Sequence, residues 1–252
     1  MAETIQIREA PLSELIIPPF VVARKEADYF ILKRSVDILL SAVFLVILFP
    51  LMLLIALIIT LDSYGPAIYS QKRVGCKYHL TPSGYRKEVC TFTFLKFRSM
   101  HHRTNDTVHR EFIEAYIKND LNWMARLQQG KVDKGNQFKL NGDKRITRIG
   151  RFLRKSSLDE LPQLWNVLRG DMSLVGPRPA IPYEVELYAP WHMHRLGALP
   201  GLTGLWQVTA RNSASFDDMV KIDLEYIDKQ SFWLDMKILL LTPLAVFDRK
   251  CN

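Results

Sequence analysis

The sequence is poor in cysteine and contains no internal repeat or low-complexity tract. Its three cysteines, Cys76, Cys90 and Cys251, form no CxxC pair and show no ligand-like spacing to histidine. Disulfide frameworks and zinc sites need such pairs or clusters, so neither is expected. We predict a reduced body that faces the cytosol.

Charge is absent from the segment between Ile38 and Leu61. As a straight helix this segment would measure about 36 Å, compared with about 30 Å for the hydrocarbon core of a bilayer. It is too long and begins too far into the chain for a secretory signal peptide. Insertion into a membrane is therefore predicted.

The path of this segment through the membrane depends on Pro50 and on the flanking charges. Pro50 stands in mid-segment, where it removes one helical hydrogen bond and favours a kink. Lys33 and Arg34 precede the segment, and Lys72 and Arg73 follow it. Because basic flanks stay on the cytoplasmic side, both ends favour that side. A re-entrant helical hairpin is favoured over a spanning helix, which would have to export the basic N-terminal segment.

The chain divides into three parts. Residues 1–28 are a variable N-terminal extension with no sustained periodicity, 29–62 form the re-entrant membrane helix, and 63–252 form a catalytic domain on the cytoplasmic face. We predict an α+β fold, mostly helical, in which amphipathic interfacial helices and a small β-hairpin join the membrane hairpin around a cytoplasmic active site.

Local patterns place the main elements of the domain. Segments 67–74 and 89–97 are rich in β-branched and aromatic residues and are separated by a Pro/Gly-containing loop, which predicts two paired strands. Segment 107–129 has apolar residues at helical spacing, and the pattern leaves open whether this helix packs on the body or lies on lipid. Segment 216–247 is helical in pattern, and its last part is too short to span a membrane.

The net charge of +8 is compatible with simple solubility or with an anionic partner. Four arginines recur at every third residue, at Arg145, Arg148, Arg151 and Arg154. On a helix they would form a basic ridge. The ridge is either a solvated face or a site for phosphate or anionic lipid.

A pair of carboxylates, Asp159 and Glu160, follows this ridge. Ser157 stands three residues before Glu160, which matches the capping box that starts many helices. Pro162 argues against that register, since proline fits best in the first helical turn, and it predicts a cap within 159–161. Both carboxylates would then lie at the helix N terminus, where anions are stabilised. Helix capping and catalysis are both open readings of this pair.

Two proline- and glycine-containing loops come next. In 176–179, Arg178 stands between two prolines that restrict its backbone. The segment is either a rigid support for bidentate contact between the guanidinium and a phosphate, or an ordinary turn. The loop 200–207 could present backbone amides and Gln207 to a ligand.

Taken in order, these segments resemble the bacterial sugar transferase family, the monotopic phosphoglycosyl transferases that initiate bacterial glycan assembly. The resemblance runs from Lys33 to about Phe247. Larger relatives carry a multi-helix membrane domain ahead of this core, so the chain is similar to the short, core-only branch. The motifs that carry the resemblance are KRSVD, QKRVG, FLKFRSM, TRIGRFLRKSSLDELPQLWNVLRGDMSLVGPRP and PGLTGLWQV.

The resemblance implies the site residues. Asp159 and Glu160 correspond to the catalytic dyad and to the ligands of Mg²⁺, the expected cofactor. The resemblance also supports the re-entrant path of 38–61. Segment 76–90 and the stretch up to 141 are longer than the minimal core, so the role of 131–139 is open. The predicted substrate-binding residues are Lys96, Arg98, Arg148, Arg151, Arg154, Arg178, Gln207 and Arg211.

The implied reaction transfers a sugar-1-phosphate from a UDP-sugar to a polyprenyl (undecaprenyl) phosphate in the bacterial inner membrane, on its cytoplasmic face. A covalent relay keeps the two anionic substrates from crowding one site, so Asp159 is predicted to form a phosphoaspartyl intermediate and release UMP. Membrane lipids are expected partners and nucleic acid is not. A homodimer is left open, and no residue identifies the sugar.

Two functions from other classes compete with this reading. A non-catalytic basic membrane module would need no divalent metal and would release no nucleotide. A membrane phosphohydrolase could also use a phosphoaspartyl intermediate, but it would release free sugar phosphate without a lipid acceptor.

Overall fold

A computed structural model describes residues 21–22, 24–81, 84–102, 104, 106–127, 143, 145–210 and 214–247. The predictions made for residues 1–20, for 131–139 and for Arg211 lie outside these residues.

Helices make up most of the described chain, as the sequence predicts. The strands are β1 (Val21–Val22), β2 (Ile68–Thr81), β3 (Gly84–Phe97), β4 (Ser173–Val175) and β5 (Gly201–Thr203). The helices in this part of the chain are α1 (Arg24–Asp62), α2 (Thr107–Ile117), α3 (Leu121–Leu127), α4 (Arg148–Ser156), α5 (Gln163–Arg169), α6 (Pro182–Val185), α7 (Leu205–Thr209), α8 (Phe216–Asp228) and α9 (Phe232–Phe247).

The uncharged segment forms most of α1, which continues without a break through Pro50. The structure thus has one helix where the sequence predicts a hairpin, and the re-entrant path stays a prediction. Within α1, Asp28–Asp62 is long and apolar enough to cross a membrane, and only 11% of its most apolar window is buried against the protein. Another apolar phase must therefore cover the rest, since exposing so much hydrocarbon to water is costly.

The KRSVD motif attaches the N-terminal half of α1 to the body. The Lys33 ammonium donates to the Val175 carbonyl at 2.9 Å, and the Arg34 guanidinium donates to the Val167 carbonyl at 2.6 Å. The Asp37 carboxylate accepts a hydrogen bond from a β4 amide at 2.9 Å. Three charged side chains therefore connect α1 to β4 and to the C-terminal end of α5.

The C-terminal half of α1 contacts the same body. Ile55 and Ile59 are buried against Phe97 and Leu153. Arg98 follows β3 and donates to the Ser63 carbonyl at 2.6 Å, just beyond the last turn of α1. Both halves of the apolar helix are thus fixed to the body.

The predicted strand pair is confirmed and is longer than predicted. β2 and β3 are 14 residues each and pair in antiparallel register, with Tyr69 opposite Lys96 and Arg73 opposite Phe92. The short β1 adds to the outer edge of β3. β4 and β5 form a separate parallel pair. Opposed residues of an antiparallel pair share one face, so the register decides which side chains meet.

Both segments predicted as helical are helical, but each is broken once. Segment 107–129 divides into α2 and α3 at Asn119, whose φ of 53° is left-handed. Segment 216–247 divides into α8 and α9 after Lys229. The open question of where α2 lies is answered by Phe112 and Tyr116, which are buried in a cluster with Phe216. α2 therefore packs on the body.

The turn that carries the carboxylate pair corrects the predicted cap. Ser157 has a left-handed φ of 57° and ends α4, and its side chain makes no capping hydrogen bond to the turn that follows, so no capping box forms. Leu158–Glu160 form a single 3₁₀ turn, and the N-cap of α5 is Pro162, beyond the predicted 159–161. Proline has no side-chain acceptor, so no side chain caps α5. The pair therefore precedes the helix and is not part of its cap.

Candidate active site

A cleft of about 970 Å³ opens beside the antiparallel sheet. Side chains of a strand point to opposite faces in turn, and the β2–β3 register aligns one set of them toward the cleft. This face of the sheet contributes Tyr69, Gln71, Arg73, Phe94 and Lys96. An aromatic and cationic surface therefore forms one wall.

The predicted dyad enters the same cleft from the 3₁₀ turn. Asp159 is 9% exposed, and the Glu160 carboxylate lies 3.7 Å from the Arg178 guanidinium. Burial and the Glu160 charge raise the pKa of Asp159 to about 6, while Lys96, Arg154 and Arg178 oppose that rise. Asp159 is thus largely ionised at neutral pH, which a nucleophilic carboxylate requires.

The cations around the dyad repel one another. Burial, and next the Arg73 charge, lower the pKa of Lys96 to about 8. Burial also lowers the pKa of Arg73 to about 10 and lowers the pKa of Arg154. Together with Arg178 they outnumber the two dyad carboxylates, so this part of the cleft favours a polyanion.

The loop 177–180 is fixed at all four of its carbonyls. In chain order they accept hydrogen bonds from the Gly201 amide at 2.8 Å, Arg195 Nη2 at 3.4 Å, Arg73 Nη1 at 3.0 Å and the Val74 amide at 2.8 Å. The proline rings restrict the backbone from within, and these donors hold it from outside. The Arg178 side chain therefore projects from a rigid backbone.

Besides Arg98, four of the predicted substrate-binding residues line the cleft with the dyad: Lys96, Arg154, Arg178 and Gln207. Gln207 lies on α7. Among the described residues, Gln207 Oε1 and Arg73 Nε are buried polar atoms with no hydrogen-bond partner. Such atoms are rare in folded proteins and are expected where a ligand completes the site.

The other predicted binding residues are placed differently. Arg98 borders the cleft, but its guanidinium donates to the carbonyls of Ile59, Ser63 and Tyr64 at the end of α1. Arg148 and Arg151 are exposed and are not among the residues that line the cleft. The basic ridge is also interrupted at Arg145, which precedes α4 and pairs with Asp143 at 2.7 Å.

The comparison with known families identifies the architecture. Residues 28–249 match the family described as Bacterial sugar transferase. The chain belongs to this family. The match covers every element that builds the cleft.

Three curated relatives illustrate the range within the family. The undecaprenyl-phosphate galactose phosphotransferase of Salmonella typhimurium is 43% identical over 218 residues, which are 86% of this chain and 41% of that protein. The UDP-glucose:undecaprenyl-phosphate glucose-1-phosphate transferase of Caulobacter vibrioides is 38% identical, over 83% of this chain and 67% of the relative. The exopolysaccharide production protein ExoY of Rhizobium meliloti is 38% identical, over 85% of this chain and 84% of the relative. The chain therefore spans less than half the length of some curated relatives.

The family motifs that are separate in sequence meet around the cleft of this sugar transferase. Motif 71–75 and motif 94–100 supply the sheet wall, and 147–179 supplies the dyad, Arg154 and Arg178. Motif 200–208 supplies Gln207 and the strand beside the Arg178 loop. Motif 33–37 lies behind the cleft and attaches α1 to β4 and α5.

Sequence reasoning missed two buried arginines of the site. Arg73 lines the cleft, stacks over Phe94 at 5.1 Å and binds the Arg178 loop. Arg195 pairs with the buried Asp223 at 2.7 Å and binds the same loop. Strand alternation could have placed Arg73 on the Lys96 face, whereas nothing in the local sequence of Arg195 indicates its partner.

The dyad fits the coordination of Mg²⁺ only as part of a ligand set. Among the described residues, no group of three or more Asp, Glu, His or Cys side chains could hold a metal alone. Mg²⁺ is commonly held by one or two carboxylates, with substrate phosphates and water completing its octahedron. The adjacent Asp159 and Glu160 carboxylates line the same cleft, and burial together with the Glu160 charge raises the pKa of Asp159 to about 6, so the pair matches that minimal set.

Proposed function

We propose that this sugar transferase moves a sugar-1-phosphate from a UDP-sugar onto a polyprenyl phosphate and releases UMP. The observation that carries the proposal is that one cleft has a buried carboxylate dyad among cations at one part and apolar helices as walls at another. The names of the relatives agree with a sugar-phosphate donor and an undecaprenyl-phosphate acceptor. The product would initiate exopolysaccharide, capsule or O-antigen assembly.

In the first step, an oxygen of the Asp159 carboxylate attacks the sugar-linked phosphorus. The new bond is an acyl phosphate, and the bond from phosphorus to the UMP oxygen breaks with its electron pair on UMP. No proton needs to move. The raised pKa of Asp159, about 6, still leaves the carboxylate ionised at pH 7. Lys96, Arg154 and Arg178 hold the phosphate oxygens as charge shifts toward the leaving group.

In the second step, a phosphate oxygen of the lipid acceptor attacks the same phosphorus. A pyrophosphate bond forms, the acyl phosphate bond breaks, and Asp159 returns to a free carboxylate. Because UMP has left by then, the two anionic substrates never occupy the cationic centre together. The Glu160 carboxylate lies 3.7 Å from the Arg178 guanidinium and keeps that cation beside the reacting phosphorus.

Asp159 and Glu160 would hold Mg²⁺ together with the donor phosphates. When bound, the ion supplies positive charge opposite the pyrophosphate and the leaving group. The surrounding cations would remain necessary, because the two negative charges of the dyad offset the charge of the ion.

The enzyme would act at the cytoplasmic face of the inner membrane, with α1 inserted from that face and not spanning it. The support is that basic residues flank the apolar segment on both sides, Lys33 and Arg34 before it and Lys72 and Arg73 after it, and such flanks favour the cytoplasmic side. A helix that crosses the bilayer separates its ends by about 30 Å of hydrocarbon.

The decisive experiment measures UMP release before any acceptor is present. Purified enzyme, Mg²⁺ and a panel of UDP-sugars should give a UMP burst no larger than the amount of enzyme. Polyprenyl phosphate should then restore turnover, with parallel double-reciprocal lines. Continuous release of free sugar phosphate without acceptor would indicate a hydrolase. Intersecting lines with no early UMP would indicate direct transfer.

A further inference from the structure

The apolar part of the cleft begins at one stripe of α1. Leu40, Phe44 and Leu48 lie at intervals of four residues, so they occupy one helix face, and all three line the cleft. Phe44 is 43% exposed even though it borders the cleft. This stripe therefore runs from the outer surface of α1 into the interior.

A second stripe faces the cleft from α9. Leu239, Thr242, Pro243 and Val246 lie three, one and three residues apart, which places them on one helix face, and all four line the cleft. The Thr242 hydroxyl is bonded to the Ile238 carbonyl at 2.7 Å and contacts the Thr203 hydroxyl at 2.9 Å. Its polar group is satisfied, so this wall presents hydrocarbon.

Both helices continue outward as exposed apolar surface. On α1, Val46 and Ile47 are 76% and 65% exposed, and on α9, Leu240 and Leu244 are 76% and 68% exposed. Such surface needs a lipid environment. The apolar stripes are thus continuous on one side with the lipid-facing surface and on the other with the cleft that holds Lys96 and Asp159.

We propose that the isoprenoid chain of the acceptor lies between α1 and α9 and enters the cleft sideways from the membrane. This inference rests on the proposed function. A polyprenyl phosphate has a long apolar chain that ends in an anion, and the cleft has the same order, from Phe44 and Pro243 to the cations beside Asp159. The nucleotide sugar would bind in the polar part of the cleft, around Asp106 and Tyr183.

A kinetic test narrows the proposed site of the isoprenoid chain with a bulky side chain and leaves the dyad unchanged. Leu48→Trp adds a bulky ring to the α1 stripe, and Ile47→Trp adds the same ring to the lipid-facing side of the same helix. For Leu48→Trp we expect an increase of at least tenfold in the KM for a long-chain polyprenyl phosphate, with the acceptor-free UMP burst unchanged. Ile47→Trp should match the wild type. A phosphate with only two isoprene units should be used almost equally well by all three proteins.

The outcomes separate this inference from the proposed function. An unchanged acceptor KM in Leu48→Trp, or a lost UMP burst in that variant alone, would overturn the chain site. Absence of the burst in the wild type would instead count against the proposed function.

A crosslinking test covers the case in which Leu48→Trp fails to fold. A photoreactive phenylalanine analogue replaces Phe44 in one protein and Ile47 in another, both in vesicles with radiolabelled polyprenyl phosphate. The analogue at 44 should capture acceptor, and excess unlabelled acceptor should suppress the capture. Equal capture at 44 and 47 without competition would mean that ordinary lipid fills the groove, and the proposal would be wrong.

Discussion

The two sides of α4 carry the same residue type but have different surroundings. Arg154 turns into the cleft beside Asp159, while Arg148 and Arg151 lie exposed on the outside. A helix rotates by about 100° per residue, so arginines at every third position shift by about 60° at each step. A six-residue separation moves the side chain by about 120°. Regular spacing therefore predicts a charged helix but not a single function for its charges.

The largest expected effect is a loss of turnover when Asp159, on the cleft side, is changed. Asp159→Asn preserves shape but removes the nucleophilic charge, so turnover should fall by roughly 10³-fold or more while folding and membrane insertion persist. Glu160→Gln should also be severely impaired. Asp228→Asn, at an exposed carboxylate on α8, is the matched control and should change turnover by less than about twofold. Near-normal turnover in Asp159→Asn would mean that the cleft side has no catalytic role that the outer side lacks.

A smaller loss, in stability, is expected behind the cleft at Arg195. Its guanidinium and the Asp223 carboxylate are both buried, and Asp223 Oδ1 has no other partner among the described residues. Arg195→Met leaves the Asp223 carboxylate buried without its counter-charge. The free energy of unfolding, measured by denaturant titration in detergent, should fall by about 3–5 kcal/mol. Adding Asp223→Leu should recover most of the loss. If the double variant is no more stable than the single one, the pair is not what stabilises this region.

Donor binding at the cleft side should depend on pH through Lys96. Its pKa is lowered to about 8, so the ammonium is present below that pH and is lost as pH rises through it. Affinity for a UDP-sugar, measured by calorimetry, should therefore weaken by about tenfold or less between pH 7 and pH 9. Lys96→Arg keeps its charge in this range and should bind without that decline. An identical decline in both proteins would assign it to another group.

The smallest effect on turnover is expected on the outer side of α4. Arg148→Gln with Arg151→Gln should leave turnover in detergent unchanged. Each removed charge should weaken attraction to anionic lipid by about 1 kcal/mol. The two charges together contribute about 2 kcal/mol, so preference for anionic over neutral vesicles should fall by about 30-fold in a competition assay. Lys118→Gln with Lys221→Gln removes the same charge elsewhere, and an equal fall there would mean that net charge alone matters.

The sequence predicts features that depend on neighbours along the chain. The β2–β3 pair, the helical segments and the carboxylate pair all follow from local patterns or from the family resemblance. The break at Asn119 and the left-handed Ser157 were not predicted, because neither residue is a glycine that would mark a positive φ. The bonds from Arg73 and Arg195 to the 177–180 loop join positions far apart in sequence, and only the fold brings them together.

The most direct test of the central claim maps the covalent intermediate. Enzyme incubated with Mg²⁺ and a UDP-sugar labelled in its sugar-linked phosphate should be quenched in acid without acceptor, digested and sequenced by mass spectrometry. The account predicts one phosphosugar adduct, on the peptide that contains Asp159, which disappears when polyprenyl phosphate is added before the quench. The absence of any adduct in an enzyme preparation that completes transfer when acceptor is supplied, or an adduct on any residue other than Asp159, would contradict it.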